Sequence, residues 1–225
     1  MKILAALVLI ITGGLWASDE PTDAKAYAEQ GRGYHASGQL AEALAAYSQS
    51  IKLDPEFVRT YNSRGHVYHN MRQYQKALAD FNHAIKMAPK APAAYYNRGN
   101  THNALKQYPQ AIADYTQAIA LHPKGTGAYI NRGGVYYDLK QYPKAIADYT
   151  KASVLNPEQP GPYYNLACIY ALQNDPAKVW PNLKRVFQLD QQQRMLNWSK
   201  TDPDLTSIRK LPEYKALLAQ FENKD

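Results

Sequence analysis

The stretch Tyr95 to Pro123, YYNRGNTHNALKQYPQAIADYTQAIALHP, recurs in close copy 34 residues later from Tyr129 to Pro157, and 34 residues earlier from Tyr61 to Pro89. Looser copies begin near Ala24 and Pro160, so five units follow one another over 24–57, 58–91, 92–125, 126–159 and 160–191. A unit of this size cannot bury its own apolar face. Repetition at a fixed period therefore predicts a solenoid, in which stacked neighbours supply one continuous core.

The columns of the repeat say what each unit is made of. Tyr27, Tyr61, Tyr95, Tyr129 and Tyr163 fall in register, as do Gly31, Gly65, Gly99, Gly133 and Ala167. The second half of the unit repeats Ala43, Ala77, Ala111 and Ala145, then Tyr47, Phe81, Tyr115 and Tyr149, and closes on Pro55, Pro89, Pro123 and Pro157. On a helix turning 100° per residue, Tyr95, Arg98, Gly99 and His102 share one side, while Tyr96, Asn97, Asn100 and Asn103 spread over the other. Glycine inside a helix costs about 1 kcal/mol relative to alanine, so its recurrence predicts close helix contact, with the alanine columns as the complementary small surface. Pro109 and Pro143 sit where a helix starts without losing a hydrogen bond, and the closing prolines end it. Gly38 separates the two helices of the first unit as a C-terminal stop.

These columns resemble the tetratricopeptide repeat family. The resemblance implies an all-α fold, a right-handed α-solenoid of about five helix-turn-helix units with a C-terminal helical cap, whose first helices line a concave groove. Residues opposite the tyrosine and glycine columns then face a ligand. They are Asn62, His66 and His69 in the second unit, Tyr96, Asn97 and Asn100 in the third, Ile130, Asn131 and Tyr137 in the fourth, and Tyr164 and Asn165 in the fifth, with Asn103 and Asp138 beside them. Family members that hold the acidic C-terminus of heat-shock chaperones use lysine and arginine on this surface. Units three to five lack those cations, which argues against that ligand. Asn97, Asn131 and Asn165 instead recur at 34-residue intervals. A carboxamide offers a donor and an acceptor, so a ladder of them can grip the main chain of an extended peptide without demanding particular side chains. Equally, such asparagines can satisfy neighbouring helices or solvate a surface.

A second pair of columns is informative within the chain. Arg64, Arg98 and Arg132 on first helices accompany Asp80, Asp114 and Asp148 on second helices, whereas the outer units have Gln30 with Ala46 and Leu166 with Asn182. Joint presence and joint absence predict ion pairs between helices, although common descent of the three middle units explains the same pattern. In both readings these residues are structural.

The first residues carry Lys2, an apolar run from Ile3 to about Ile11, and small residues up to Ala17. The run is short of the roughly 20 residues needed to span a bilayer, so residues 1–17 read as a secretory signal cut after Ala17 or Gly14; an uncleaved helical anchor is the alternative. A periplasmic or secreted protein is expected, with a flexible lead over 18–23 and no transmembrane helix after cleavage. No cysteine near the cut offers a lipid anchor, and Cys168, the single cysteine, leaves no internal disulfide. The formal net charge of +7 is spread without a basic run. It favours acidic partners in general, and nucleic acid is not expected of an exported chain.

No GxSxG, HExxH, CxxC or phosphate-binding GxxxxGK(S/T) pattern is present, so no enzyme class with a short local signature is supported and no cofactor is expected. His35, His66 and His69 lie on the polar side of adjacent first helices, but no carboxylate column completes a metal site, and none is assigned. In the fifth unit, Pro181 predicts a kinked or late second helix. Residues 192–225 read as capping helices: Asp202 caps one starting on Pro203, and Pro212 starts another carrying Tyr214, Leu217, Leu218 and Phe221 on one side. The expected function is a non-catalytic adaptor or scaffold for a protein or peptide partner. A self-associating scaffold, or an accessory factor of a cell-envelope enzyme or assembly machine, are the alternatives.

Overall fold

The computed structural model describes residues 22–190 and 192–221. The first helices of the units are α1 (Ala24–Ala36), α3 (Val58–Asn70), α5 (Pro92–Ala104), α7 (Thr126–Asp138) and α9 (Pro160–Leu172). The second helices are α2 (Leu40–Leu53), α4 (Tyr74–Met87), α6 (Tyr108–Leu121), α8 (Tyr142–Leu155) and α10 (Pro176–Leu189). Every helix packs on its chain neighbours, and the result is an α-solenoid. Among the described residues no helix is long and apolar enough to cross a membrane. The signal reading over 1–17 lies outside the described residues. Asp23, expected in a flexible lead, is instead fixed as the cap of α1, accepting the Ala26 N–H at 2.8 Å.

The turn between the helices of a unit uses one left-handed residue. Gly38 takes it in the first unit at φ +79°, and the same column holds Arg72, Lys106, Lys140 and Asn174 at φ between 53° and 59°. Glycine is thus the unstrained choice, and the later units reach the same turn with side chains that pay a small steric cost.

The glycine column does not meet alanines, as expected from the sequence; it meets rings. A Cβ placed on Gly65 would lie 2.7 Å from Phe81 Cε1, and one on Gly31, Gly99 or Gly133 would lie 2.8 or 2.9 Å from Tyr47, Tyr115 or Tyr149. Each of the first four units is closed by an aromatic ring packed against the bare backbone of its own first helix. The alanines are buried beside those rings, packed with the next unit's Val67 or Val135. Unit five confirms the logic by exchanging both partners at once: Ala167 stands in the glycine column and Leu183 in the ring column, both fully buried. Gly65→Ala is therefore expected to destabilise by about 1–3 kcal/mol through overpacking, although alanine is the better helix former by about 1 kcal/mol. Combining it with Phe81→Leu should cost less than the two single changes added together. Denaturant melts of the four proteins measure this, and strict additivity would mean that ring and glycine do not define each other.

Each middle arginine is a three-way tie. Arg98 Nε and Nη2 donate to the two oxygens of Asp114 at 2.8 and 2.6 Å, and its Nη1 donates to Asn82 Oδ1 of the preceding unit at 2.7 Å. Arg64 does the same with Asp80 and Ser48, and Arg132 with Asp148 and Thr116. The guanidinium planes lie within 6.0 Å of the centres of column tyrosines, Tyr61 and Tyr68 around Arg64 and Tyr129 and Tyr136 around Arg132. Hydrogen bonding to the aspartate raises the pKa of each arginine further, overcoming its burial. The Asp114 side chain is 6% exposed, so Arg98→Leu leaves a carboxylate stranded at a cost of about 3 kcal/mol, and in a double-mutant cycle with Asp114→Ala the paired change should recover about 1–3 kcal/mol of the summed losses. No recovery in thermal or denaturant melts would refute the tie.

Beyond α10 the chain covers the last unit. α11 (Arg194–Ser199) is capped by Asp190, whose Oδ2 accepts the Met195 and Leu196 N–H groups at 2.6 and 3.0 Å. A 3₁₀ turn (Pro203–Leu205) follows, then α12 (Pro212–Ala219). Leu196, Leu205, Ile208, Tyr214, Leu217 and Phe221 join Leu183 and Val186 in one buried cluster. Asp202 does cap its helix, accepting the Asp204 N–H at 2.9 Å, but that helix is a single 3₁₀ turn. Pro181 neither delays nor breaks α10, which begins at Pro176 and runs through it. Pro181 and Ala177 are both exposed, so the carbonyl deprived of its partner is solvated.

Candidate functional site

Successive first helices touch one another, α1 with α3, α3 with α5 and α5 with α7, and no pair of second helices meets as extensively. The first-helix side is therefore the inner, concave side, and the residues expected there can be followed along it.

Its N-terminal half is stitched shut by its own side chains. The Asn70 amide donates to His35 Nε2 at 2.9 Å, and the His35 and His66 rings meet edge to face with centres 5.1 Å apart. Asn97 Nδ2 donates to Asn62 Oδ1 at 3.1 Å. Thr101 sends its hydroxyl proton to the Asn97 carbonyl at 3.0 Å, so it accepts from His69 Nδ1, also at 3.0 Å. Burial lowers the pKa of His69 and so favours its neutral ring. Asn62, His69 and Asn97 thus bond unit to unit, and His66 packs against its neighbour.

In the third and fourth units the pattern continues and then opens. Asn131 Nδ2 donates to Tyr96 Oη at 3.0 Å and to Asn100 Oδ1 at 2.8 Å, which uses both its hydrogens, and Tyr115 Oη donates to the same Asn100 oxygen at 2.8 Å. Tyr96 also lies against the Tyr115 ring and under Gly127, so it is an inter-unit contact and not a free apolar rung. The three asparagines of the expected ladder are consequently unequal: Asn97 spends one N–H and Asn131 both on the protein, and Asn165 makes no side-chain hydrogen bond among the described residues.

The C-terminal end of the groove is occupied by the chain itself. Tyr164, expected to offer contact to a ligand, is 6% exposed and donates to Asp202 Oδ2 at 2.7 Å. Tyr137 donates to Asp204 Oδ2. Burial, reinforced by these carboxylates, pushes the pKa of both phenols well up, so they are donors at neutral pH. Cys168 also points its thiol at Asp202, 3.9 Å away, and burial raises its pKa strongly; a thiol held protonated is a poor nucleophile.

Between these two closed stretches lies a pocket of about 330 Å³. Asn100 and Asn103 come from α5, Ile130, Asn131, Gly134, Tyr137 and Asp138 from α7, and Asn165 from α9, with Tyr115 and Tyr149 of the second helices beneath. The side chains of Asn103, Asp138 and Asn165 make no hydrogen bond or ion pair to any described residue. Ile130 both lines the pocket and packs on the Ala145, Tyr149, Leu166 and Ile169 cluster. The sequence alone marked the first-helix positions Asn100, Asn103, Ile130, Asn131, Tyr137, Asp138 and Asn165, but not Gly134 or the two tyrosines beneath. It missed the Ser48, Asn82 and Thr116 column that completes the arginine ties, and it missed Asp202 and Asp204 as groove residues.

Models of the TPR repeat match residues 31–71 and 133–174, and of the tetratricopeptide repeat residues 58–91 and 92–124, together more than half of the sequence. The chain belongs to the tetratricopeptide repeat family. No curated protein matches it. Among solved structures, this tetratricopeptide protein is similar in fold to MamA from Desulfovibrio magneticus RS-1 at 24% identity and TM-score 0.67, over 76% of this chain and 97% of that one. It is similar to YrrB, described as a TPR protein with an unusual peptide-binding site, at 22% identity and TM-score 0.62, over 79% and 92%. The first TPR of Spaghetti (RPAP3), solved with the HSP90 peptide SRMEEVD, aligns at 24% identity and TM-score 0.51 over 52% and 94%.

Proposed function

We propose that this protein is an exported, non-catalytic adaptor that holds an extended peptide segment of a partner in the pocket between α5, α7 and α9. The observation that carries this reading is the trio Asn103, Asp138 and Asn165, polar side chains gathered on one concave surface and left without partners by a fold that pairs the neighbouring amides. Unpaired amides on a pre-formed surface offer a peptide main chain both of its hydrogen-bonding partners. A pocket of about 330 Å³ suits one or two side chains of a strand-like ligand and not a folded module. The structures of YrrB and Spaghetti, whose descriptions name peptide binding, support the reading.

Short labelled peptides drawn from an array are expected to bind, and Asn165→Ala and Asn103→Ala each to weaken binding about 5-fold, the loss of roughly one hydrogen bond. Circular dichroism should be unchanged, because neither side chain holds a neighbour. Unaltered affinity in both variants, measured by fluorescence anisotropy, would remove the pocket from the binding surface.

Export is supported by Lys2, the apolar run from Ile3 to about Ile11 and the small residues ending at Ala17. N-terminal sequencing of the native protein is expected to begin at Ser18 in an extracytoplasmic fraction. Intact Met1 in a membrane pellet would establish the anchored alternative.

A further inference from the structure

We infer that the pocket selects a lysine or arginine side chain of the bound segment, with Asp138 as its counter-ion; this rests on the peptide-groove reading and goes on to state the ligand's chemistry. The chain as a whole is basic, at +7, yet the pocket is not. Asp138 lines it, and the Asp204 carboxylate reaches its wall through Tyr137. No lysine or arginine lines it. The arginines of the third and fourth units, Arg98 and Arg132, are forked onto Asp114 and Asp148. At physiological salt the screening length is about 8 Å, so a cation inside the pocket answers to these carboxylates and not to the net charge of the solenoid.

The placement of Asp138 is itself unfavourable to folding. It is the last residue of α7, where the helix dipole and the open carbonyls disfavour a carboxylate by about 0.3–1 kcal/mol. The equivalent positions elsewhere are Ala36, Asn70, Ala104 and Leu172, so the repeat does not require an acid there. A residue that works against its own helix end, makes no ion pair and lines a concave pocket has a task outside the fold. The remaining lining suits a long cationic side chain. Ile130 and the Tyr149 ring offer apolar wall for methylenes, while the Asn103 and Asn165 oxygens can accept from an ammonium or guanidinium head.

A positional-scanning library of short peptides, read by anisotropy on the full mature chain, tests this. Pools with fixed Lys or Arg should bind about 5-fold more tightly than pools with norleucine, and more tightly still than pools with Glu, as expected for one partly exposed ion pair. The preference should shrink as salt is raised. Asp138→Asn should reduce it to within about 2-fold, leave norleucine pools unchanged, and fold as stably as the parent or slightly more so; Asp138→Glu should keep the preference. Lys, norleucine and Glu pools binding alike would overturn the cation assignment while leaving the peptide groove standing. No peptide pool binding at all would overturn both.

Discussion

The geometry of this solenoid depends on a guanidinium with all of its useful arms engaged. Arg64, Arg98 and Arg132 each grip an aspartate of their own second helix with two arms and a polar side chain of the preceding unit with the third. A surface ion pair is commonly worth about 0–1 kcal/mol, and these would be no exception if the aspartates were solvated. They are not: Asp80, Asp114 and Asp148 are buried, so the energy lies in what a lost arginine would strand. Planarity matters as much as charge, because a lysine would offer its three donors from a single nitrogen and not from the flat fork that meets a carboxylate with two parallel bonds while a third arm reaches the preceding unit. The tie fixes the rotation of one unit on the next, and that rotation brings Asn97 within reach of Asn62, and Asn131 within reach of Asn100.

Where the tie ends, the character of the array changes. Leu166 replaces the arginine, Asn182 replaces the aspartate and turns back to the Lys178 carbonyl at 2.8 Å, and the fifth unit becomes apolar around Leu166, Ile169 and Leu183. An apolar last unit needs a cover. The segment from α11 to α12 supplies one, burying Leu196, Leu205, Tyr214 and Phe221 against it.

What the sequence made legible was whatever repeats by identity. The period placed every first and second helix, the closing prolines lie two residues beyond the ends of the second helices at Leu53, Met87, Leu121 and Leu155, and the paired arginine and aspartate columns lie in contact. The third arm of the tie stayed hidden because its acceptors, Ser48, Asn82 and Thr116, share a function and not a residue type. The glycine column was legible as a place of close approach, but not what approaches, since alanine and aromatic columns recur with equal regularity. Pro181 misled because a lost hydrogen bond is costly only where the orphaned carbonyl is dry. The groove was legible in part. Which amides are consumed between units depends on distances across the stack, and the partners of Tyr164 and Tyr137 lie 38 and 67 residues away in the chain, outside any repeat.

The last of these contacts joins architecture to recognition. Asp202 and Asp204 bind Tyr164 and Tyr137, so the segment that covers the apolar end of the array also fills the end of its concave face. At the other end, the histidine and asparagine bonds from His35 to Thr101 leave no free amide row. On the proposed reading a ligand is thereby confined to the stretch between α5 and α9, too short for the long main-chain grip that an evenly repeated asparagine ladder would give. Affinity over so short a contact has to come from a few well-placed groups, because each ordered ligand residue costs conformational entropy that backbone hydrogen bonds offset only narrowly. On the proposed reading the cover contributes to that concentration: the Asp204 carboxylate that closes the groove on Tyr137 adds its charge to that of Asp138 near the remaining opening, so one contact bears both on how much of a peptide enters and on the charge it carries.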